Sequence, residues 1–264
     1  MSESPNHGSA TLSFDPSGEV ATITLDRAAK LNALTPAMLR DLEVAARAAD
    51  DSPARVVLVR TAGVKVFCVG ADITMFGGLS PVEMWRDWIT VGHRALSAIE
   101  AIRCPTIAVI DGLAFGGGLE LALACDFRIM VTDTRVALPE TGLGTVPGWG
   151  GTGRLPALVG ASRAKEMILA RREVGADLAL AWGLVNDVTA PEALEECVEG
   201  WCARIRGGGP VAVALAKQLV TATLDGAPAS VVEALAGGLS VGTADLAEGV
   251  AAFRAKRTPE FTGR

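Results

Sequence analysis

The chain has 264 residues, of which 50% are hydrophobic and 20% are charged, the balance of a globular protein with a large buried core. Its formal charge of −6 argues against general nucleic-acid binding, which needs a basic surface. We find no apolar signal segment in the first thirty residues and no apolar stretch long enough to span a membrane.

The cysteine and histidine content bears on metal binding and on the redox compartment. The five cysteines form no CxxC pair, and His7 and His93 are the only histidines. This pattern predicts reduced thiols that pack as small hydrophobic side chains, and no structural zinc site. We therefore expect a cytoplasmic protein that binds no metal.

Strands and helices alternate through the first two thirds of the chain. Residues 1–10 are polar and predict a flexible tail. Strands are predicted at residues 20–25, 55–60, 106–111, 127–131 and 184–188. Helices are predicted at residues 36–49 and 81–102, each with proline at its first position after Thr35 or Ser80 as the N-cap. The alternation indicates an α/β core over residues 11–195.

The last third of the chain predicts helices only. They cover residues 192–206, 211–223, 230–240 and 245–256, with glycine and proline breaks between them. This helical C-terminal portion, residues 196–264, is apolar enough to need a partner surface. The pattern does not decide whether the core or another subunit provides that surface.

A triple glycine at residues 116–118 precedes an apolar helix that carries Glu120. Glycines allow the backbone to approach a ligand closely, and the start of a helix leaves amide N–H groups free to stabilise an oxyanion. A carboxylate among apolar residues is costly unless it is paired or used in proton transfer. The alternative is that Glu120 points to solvent and simply favours the helix N-terminus.

A second segment, residues 65–73 (KVFCVGADI), follows a predicted strand. By itself it fits a turn in which Asp72 caps a helix. Beside the triple glycine, it becomes a candidate for a second oxyanion donor through the N–H of Ala71. Cys68 is a conceivable nucleophile, but only His93 could serve as its base and no spacing links the two, so we do not favour thiol catalysis.

A third segment, residues 138–155, carries Glu140 twenty residues after Glu120. Glu140 alone fits an ordinary loop carboxylate, whereas two carboxylates in different environments can divide acid and base duties. The same segment contains a G-x-G-x-x-G pattern at residues 148–153. A dinucleotide site needs a buried strand directly before that pattern, and Pro139 and Pro147 argue against one. A NAD-dependent oxidoreductase and a non-catalytic scaffold therefore remain as less favoured alternatives.

These three segments together resemble the crotonase family of enoyl-CoA hydratases and isomerases in order and spacing. The stretches at residues 25–34 and 253–261 also match, so the resemblance covers nearly the whole chain from Val20 onward. It implies an α/β fold, a crotonase-like spiral of ββα units with a helical C-terminal portion that serves in oligomerisation. It also implies a homotrimer or homohexamer.

The resemblance implies an enoyl-CoA hydratase, a lyase that adds water across the 2,3 double bond of a 2-enoyl-CoA, as in fatty-acid β-oxidation. Glu120 and Glu140 would hold the water, Gly148 would support it, and the N–H groups of Ala71 and Gly117 would bind the thioester oxygen. No cofactor is expected, because coenzyme A is part of the substrate. A Δ3,Δ2-enoyl-CoA isomerase or another acyl-CoA lyase or hydrolase of the family is the alternative.

The same resemblance suggests two further groups of residues, although each charged one also fits an ordinary surface charge. The expected CoA-binding residues are Arg27, Lys30, Ala33, Asp72, Ile73, Phe253 and Lys256. The expected acyl-pocket residues are Met75, Phe76, Trp85, Trp88 and Trp149. Trp85 and Trp88 are three residues apart and fit a helix packed in the core equally well.

Overall fold

A computed structural model of the protein describes residues 7–63, 65–76 and 78–264. In chain order its strands are β1 Ser9–Phe14, β2 Val20–Asp26, β3 Val56–Thr61, β4 Lys65–Cys68, β5 Thr106–Ile110, β6 Gly112–Phe115, β7 Phe127–Val131, β8 Arg135–Ala137, β9 Val174–Gly175 and β10 Asp187–Thr189. The fold is α/β with a helical C-terminal part, as the sequence predicts.

Helices follow most of the strands. They are α1 Pro36–Asp50, α2 Pro81–Glu83, α3 Thr90–Glu100, α4 Gly117–Leu123, α5 Gly151–Val159, α6 Ala161–Leu169, α7 Ala176–Ala181, α8 Leu194–Arg206, α9 Pro210–Leu224, α10 Ala229–Val241 and α11 Ala244–Ala255. No helix within the described residues is long and apolar enough to cross a membrane.

Two sheets form the core. The first has the order β1-β2-β3-β5-β7-β10, and only its β1–β2 pair is antiparallel. The second has the order β4-β6-β8-β9, in which β4, β6 and β8 are parallel neighbours. The carboxyl ends of parallel strands lie at one edge of a sheet, where ligands bind in open α/β folds. The three segments that follow β4, β6 and β8 are those that carry the predicted site.

Some predicted boundaries differ from the structure. Strand β1 begins at Ser9, so two residues of the predicted tail belong to a strand. The helix predicted over residues 81–102 is divided, because a π-helical segment, Met84–Ile89, separates α2 from α3. Helix α1 begins as predicted, since the Thr35 side chain accepts a hydrogen bond from the Met38 N–H at 3.2 Å.

The C-terminal helices bury little of their apolar surface within this chain. In α8, Leu194, Val198 and Cys202 pack against the first sheet. In α9 and α10, by contrast, no side chain is fully buried. Large exposed apolar side chains on α9, α10 and α11 include Leu224, Leu235, Leu239, Val241 and Phe253.

Candidate active site

The loops after β4 and β6 touch each other at Gly70. This residue has φ of +96°, and a Cβ atom there would lie 2.9 Å from the carbonyl oxygen of Phe115 and 3.0 Å from the amide nitrogen of Gly117. Only glycine satisfies both the backbone conformation and the close approach. The contact therefore brings the segment that holds Ala71 against the start of helix α4.

The amides of Ala71 and Gly117 make no hydrogen bond within the described residues. Leu34 pairs with the groups on either side of Ala71, donating to the Gly70 carbonyl at 2.7 Å and accepting from the Asp72 N–H at 2.9 Å. Gly117 is the first residue of α4, where an N–H has no acceptor in its own helix. The two predicted oxyanion donors are thus free N–H groups on adjoining segments.

Glu120 lies in the first turn of α4 and is only 2% exposed. Its Oε1 accepts hydrogen bonds from the amide of Trp149 at 2.7 Å and from the amide of Gly151 at 2.8 Å. Burial raises the pKa of Glu120, and these amide donors oppose the rise because they favour the carboxylate. The structure therefore rules out the alternative in which Glu120 points to solvent.

Glu140 begins a 3-10 helix just after β8 and faces the triple glycine. Its Oε1 lies 3.1 Å from where a Cβ atom on Gly116 would stand, and its Oε2 is buried without a hydrogen-bond partner among the described residues. Burial is the main cause that raises the pKa of Glu140 to about 7, and the charge of Glu120 adds to it. Near neutral pH this carboxyl can hold or release a proton.

One cavity of about 100 Å³ connects these groups. Ala71, Gly117, Glu120, Glu140 and Gly148 all line it. The backbone of Gly148 lies against the Ile89 side chain, because a Cβ atom on Gly148 would lie 2.7 Å from the Cδ1 atom of Ile89. The structure thus brings together the predicted acid/base pair, both predicted oxyanion donors and the predicted support of the water site.

Three of the five residues predicted for the acyl pocket lie along the cavity. Phe76, Trp88 and Trp149 line the cavity, whereas Met75 is half-buried outside the lining and Trp85 is 67% exposed. Sequence reasoning missed further apolar lining residues, which are Val69, Ile89, Leu143 and Val146. Ile89 directly follows Trp88 in the sequence, and this proximity to a predicted pocket residue is the one signal that could have identified it.

The predicted CoA-binding residues divide into buried and exposed ones. The Nη1 atom of Arg27 lies 2.7 Å from Oδ2 of Asp72 and donates to the carbonyl of Ala33 at 3.0 Å. Both charged side chains are largely buried, so the Arg27 guanidinium holds the loop that follows Ala71. The remaining members are exposed on the surface and are Lys30, Ile73, Phe253 and Lys256.

The alternative chemistries do not fit the geometry. Cys68 is buried, its thiol donates to the carbonyl of Asn32 at 3.0 Å, and burial raises its pKa to about 12. A thiol with such a pKa is not a nucleophile near neutral pH. The G-x-G-x-x-G pattern runs into α5, but within the described residues the strand before it, β8, ends at Ala137, eleven residues earlier than Gly148. It therefore lacks the strand-to-helix turn of a dinucleotide site.

Comparison with known proteins gives consistent matches along nearly the full length. The profile of the enoyl-CoA hydratase/isomerase family matches residues 15–264. The chain is 42% identical to a probable mitochondrial enoyl-CoA hydratase 2 of Arabidopsis thaliana over 96% of this chain and 84% of that protein. It is 39% identical to a crotonyl-CoA hydratase of Syntrophomonas wolfei over 93% of this chain and 95% of that protein. The crystal structure of an enoyl-CoA hydratase from Bacillus anthracis superposes with a TM-score of 0.91 at 36% identity, covering 97% of this chain and 99% of that one.

Proposed function

Because the chain belongs to the enoyl-CoA hydratase/isomerase family, we propose that it adds water across the 2,3 double bond of a 2-enoyl-CoA to give a 3-hydroxyacyl-CoA. It is thus a lyase of the hydratase kind. The observation that carries this proposal is the cavity that the buried carboxyl group of Glu120 and the half-buried one of Glu140 share with two free amide N–H groups. The reaction needs no cofactor, since coenzyme A arrives as part of the substrate.

The environments of the two glutamates support different roles for them. Two amide donors stabilise the carboxylate of Glu120, so Glu120 is the base that takes a proton from water while the water oxygen bonds to C3. Glu140 has an unpaired oxygen and a pKa raised to about 7, so its protonated form delivers a proton to C2. Water thereby loses one proton, and the substrate gains a hydroxyl group and a hydrogen atom.

The amides of Ala71 and Gly117 support this chemistry at the thioester oxygen. As the C3–O bond forms, negative charge moves onto that oxygen, and both N–H groups can donate to it without reorganisation. One such donor typically contributes about 3–4 kcal/mol to transition-state stabilisation. The Δ3,Δ2-isomerase alternative moves a proton between two carbons and can use a single carboxyl group. Two carboxyl groups on one cavity therefore favour the hydratase.

The binding of coenzyme A and the assembly of subunits remain proposals of the same kind. Lys30 and Ile73 are exposed; Lys30 lies three residues after Arg27 and Ile73 directly follows Asp72, its ion-pair partner, which supports a role for them at the CoA entrance. The apolar side chains exposed on α9, α10 and α11, with Phe253 84% exposed, support a homotrimer or homohexamer. A single exposed chain would leave that surface in water.

The first experiment measures the loss of enoyl-thioester absorbance with crotonyl-CoA. We expect turnover by the wild type and a fall of about 100-fold or more in Glu120→Gln and in Glu140→Gln, because neither amide can exchange a proton. Glu196→Gln is the matched control, since Glu196 is exposed on α8. Wild-type inactivity on crotonyl-CoA and longer 2-enoyl-CoAs would reject the hydratase.

The pH profile separates the two roles. If the acid form of Glu140 is required, kcat/KM for hydration falls about tenfold per pH unit above about pH 7, and a separate fall at lower pH reports protonation of Glu120. In Glu140→Asp the fall of kcat/KM at high pH should remain but begin at a different pH, whereas in Glu140→Gln this fall should be absent. A wild-type kcat/KM that rises through pH 7 would mean that Glu140 is the base and Glu120 the acid.

A further inference from the structure

Glu120 depends on a short backbone segment, residues 149–151, that lies outside its own helix. The amides of Trp149 and Gly151 donate to its Oε1 at 2.7 Å and 2.8 Å. A Cβ atom on Gly151 would lie 3.0 Å from the same oxygen, so the carboxylate rests directly on this segment. Both amides can stabilise the carboxylate only while the segment keeps its position. Whatever holds residues 149–151 therefore also supports Glu120.

The guanidinium group of Arg154 lies on the backbone of this segment. Its Nη1 donates to the Trp149 carbonyl at 2.9 Å, and a Cβ atom on Gly150 would overlap the same nitrogen. Gly150 also has φ of +107°, so the turn and the contact both require glycine there. Trp149 is thus bound on two sides, with its N–H donating to Glu120 and its carbonyl accepting from Arg154.

Arg154 is fixed in turn by an ion pair with Glu100, the last residue of α3. Its Nη2 lies 2.6 Å from Oε2 of Glu100, and its Nε lies 3.3 Å from Oε1. Two such bonds fix the orientation of a guanidinium group as well as its position. A carboxylate at the end of one helix and a guanidinium at the start of another, here α5, are each disfavoured by the helix dipole. Helix stability therefore does not explain why these two charges stand where they do.

From this geometry we propose that Arg154 is a positioning residue for Glu120: anchored by Glu100, it holds residues 149–151 so that their amides keep Glu120 ready to take a proton from water. This inference rests on the hydratase function proposed above. Among the described residues, Arg154 is not part of the cavity lining, so it acts through the backbone segment and not on the substrate. Helix α3 then supports the segment twice, through Glu100 and through Gly92, where a Cβ atom would overlap the Trp149 indole.

The experiment measures kcat and KM for crotonyl-CoA between pH 5 and pH 8 in the wild type, Arg154→Met and Arg154→Lys. Loosened amides stabilise the carboxylate less, so the pKa of Glu120 rises further and the low-pH fall of kcat/KM begins at a higher pH in Arg154→Met. We expect kcat at pH 6 to be about tenfold or more below the wild-type value, since a hydrogen bond to a charged group is typically worth a factor of that size. KM should change little. Arg154→Lys keeps the charge and should restore part of the loss.

Arg60→Met is the matched control. Arg60 also forms a two-bond ion pair, with Glu195 at 2.6 Å and 2.9 Å, and its side chain is 24% exposed against 16% for Arg154. This variant should keep the wild-type pH profile. Hydrogen exchange followed by mass spectrometry then measures the amides of Trp149 and Gly151 without any turnover. Their exchange should be about tenfold or more faster in Arg154→Met, because a bond to a charged group is lost, and unchanged in Arg60→Met.

The outcomes separate this proposal from the hydratase itself. A loss of kcat by the same factor at every pH in Arg154→Met overturns the positioning role, and so does unchanged exchange of the two amides. Inactivity of the wild type on crotonyl-CoA and longer 2-enoyl-CoAs refutes the hydratase, and the exchange rates then decide alone whether Arg154 fixes the segment. If Arg154→Met does not fold, Glu100→Gln removes the anchor of Arg154 and must still move the low-pH fall of kcat/KM to a higher pH, or the proposal fails.

Discussion

Replacing Glu140 with glutamine should stabilise the folded protein at pH 8 although it removes activity. Burial, with the charge of Glu120, raises the pKa of Glu140 from 4.5 to about 7. Because one pKa unit corresponds to about 1.4 kcal/mol, the rise is equivalent to about 3 kcal/mol against the ionised folded state. The side chain is partly exposed, so solvent screens this energy and we expect about 1–2 kcal/mol. Glutamine keeps the shape without the charge.

The stability gain from Glu140→Gln should depend on pH. Below pH 4.5 the carboxyl group is protonated in the folded and unfolded states, and its raised pKa has no effect on stability. Between pH 4.5 and about 7 the unfolded state loses the proton first, so stability falls as pH rises; above about 7 the penalty is constant. The gain from Glu140→Gln should therefore appear across this window.

Urea unfolding at pH 4.5, 6, 7 and 8 measures this gain, with all proteins at one concentration because subunit association affects apparent stability. Glu196→Gln, on the exposed face of α8, serves as the control and should show no comparable pH-dependent gain. If the free-energy difference between Glu140→Gln and the wild type is the same at all four pH values, the raised pKa of Glu140 is wrong. The proton-donor role assigned to it would then lose its basis.

Three other substitutions test the packing around the site. Gly92→Ala drives a methyl group into the neighbouring indole and should destabilise the fold by about 1–3 kcal/mol in thermal unfolding; an unchanged midpoint would mean that the indole can move. Gly70→Ala should lower kcat about tenfold or more, because φ is +96° and the new Cβ presses on the Phe115 carbonyl and the Gly117 amide. Gly18→Ala, with φ of +75° and open space, is its control and should leave kcat unchanged. Arg27→Met breaks the ion pair with Asp72 and should lower kcat while the Kd for free coenzyme A stays constant; a change in Kd alone would instead support direct CoA binding.

The site was predictable from the sequence because its chemistry is concentrated in three short glycine-rich segments. The buried runs before them predict strands, and parallel strands bring their carboxyl ends together. Ala71, Gly117, Glu120 and Glu140 accordingly line one cavity, although up to 69 residues separate them in the chain. The sequence could not distinguish the roles proposed for the two glutamates, since that proposal depends on the two amides that bind Glu120 and on the Glu140 oxygen that has no partner among the described residues.

Two features escaped sequence reasoning for physical reasons. The pairing of Arg27 with Asp72 joins residues 45 positions apart, and a sequence shows a basic residue without showing its partner. The pocket prediction for Trp85 rested on the resemblance, and its alternative, a helix packed in the core, rested on α-helical spacing, in which residues three apart share a face. The chain is π-helical there, and the wider turn directs Trp85 to the surface while Trp88 points into the pocket.

That π-helical segment has a consequence for how related enzymes diverge. The Thr90 N–H donates to the carbonyl of Trp85, five residues back instead of four, so the segment holds one residue more than an α-helical turn. Loss of that residue would rotate Trp85 and Trp88 relative to α3, whose buried residues Val91, Ala95 and Ile99 would keep their register against the core. A change in chain length at this helix can therefore alter which side chains line the cavity, with the hydrophobic core left as it is.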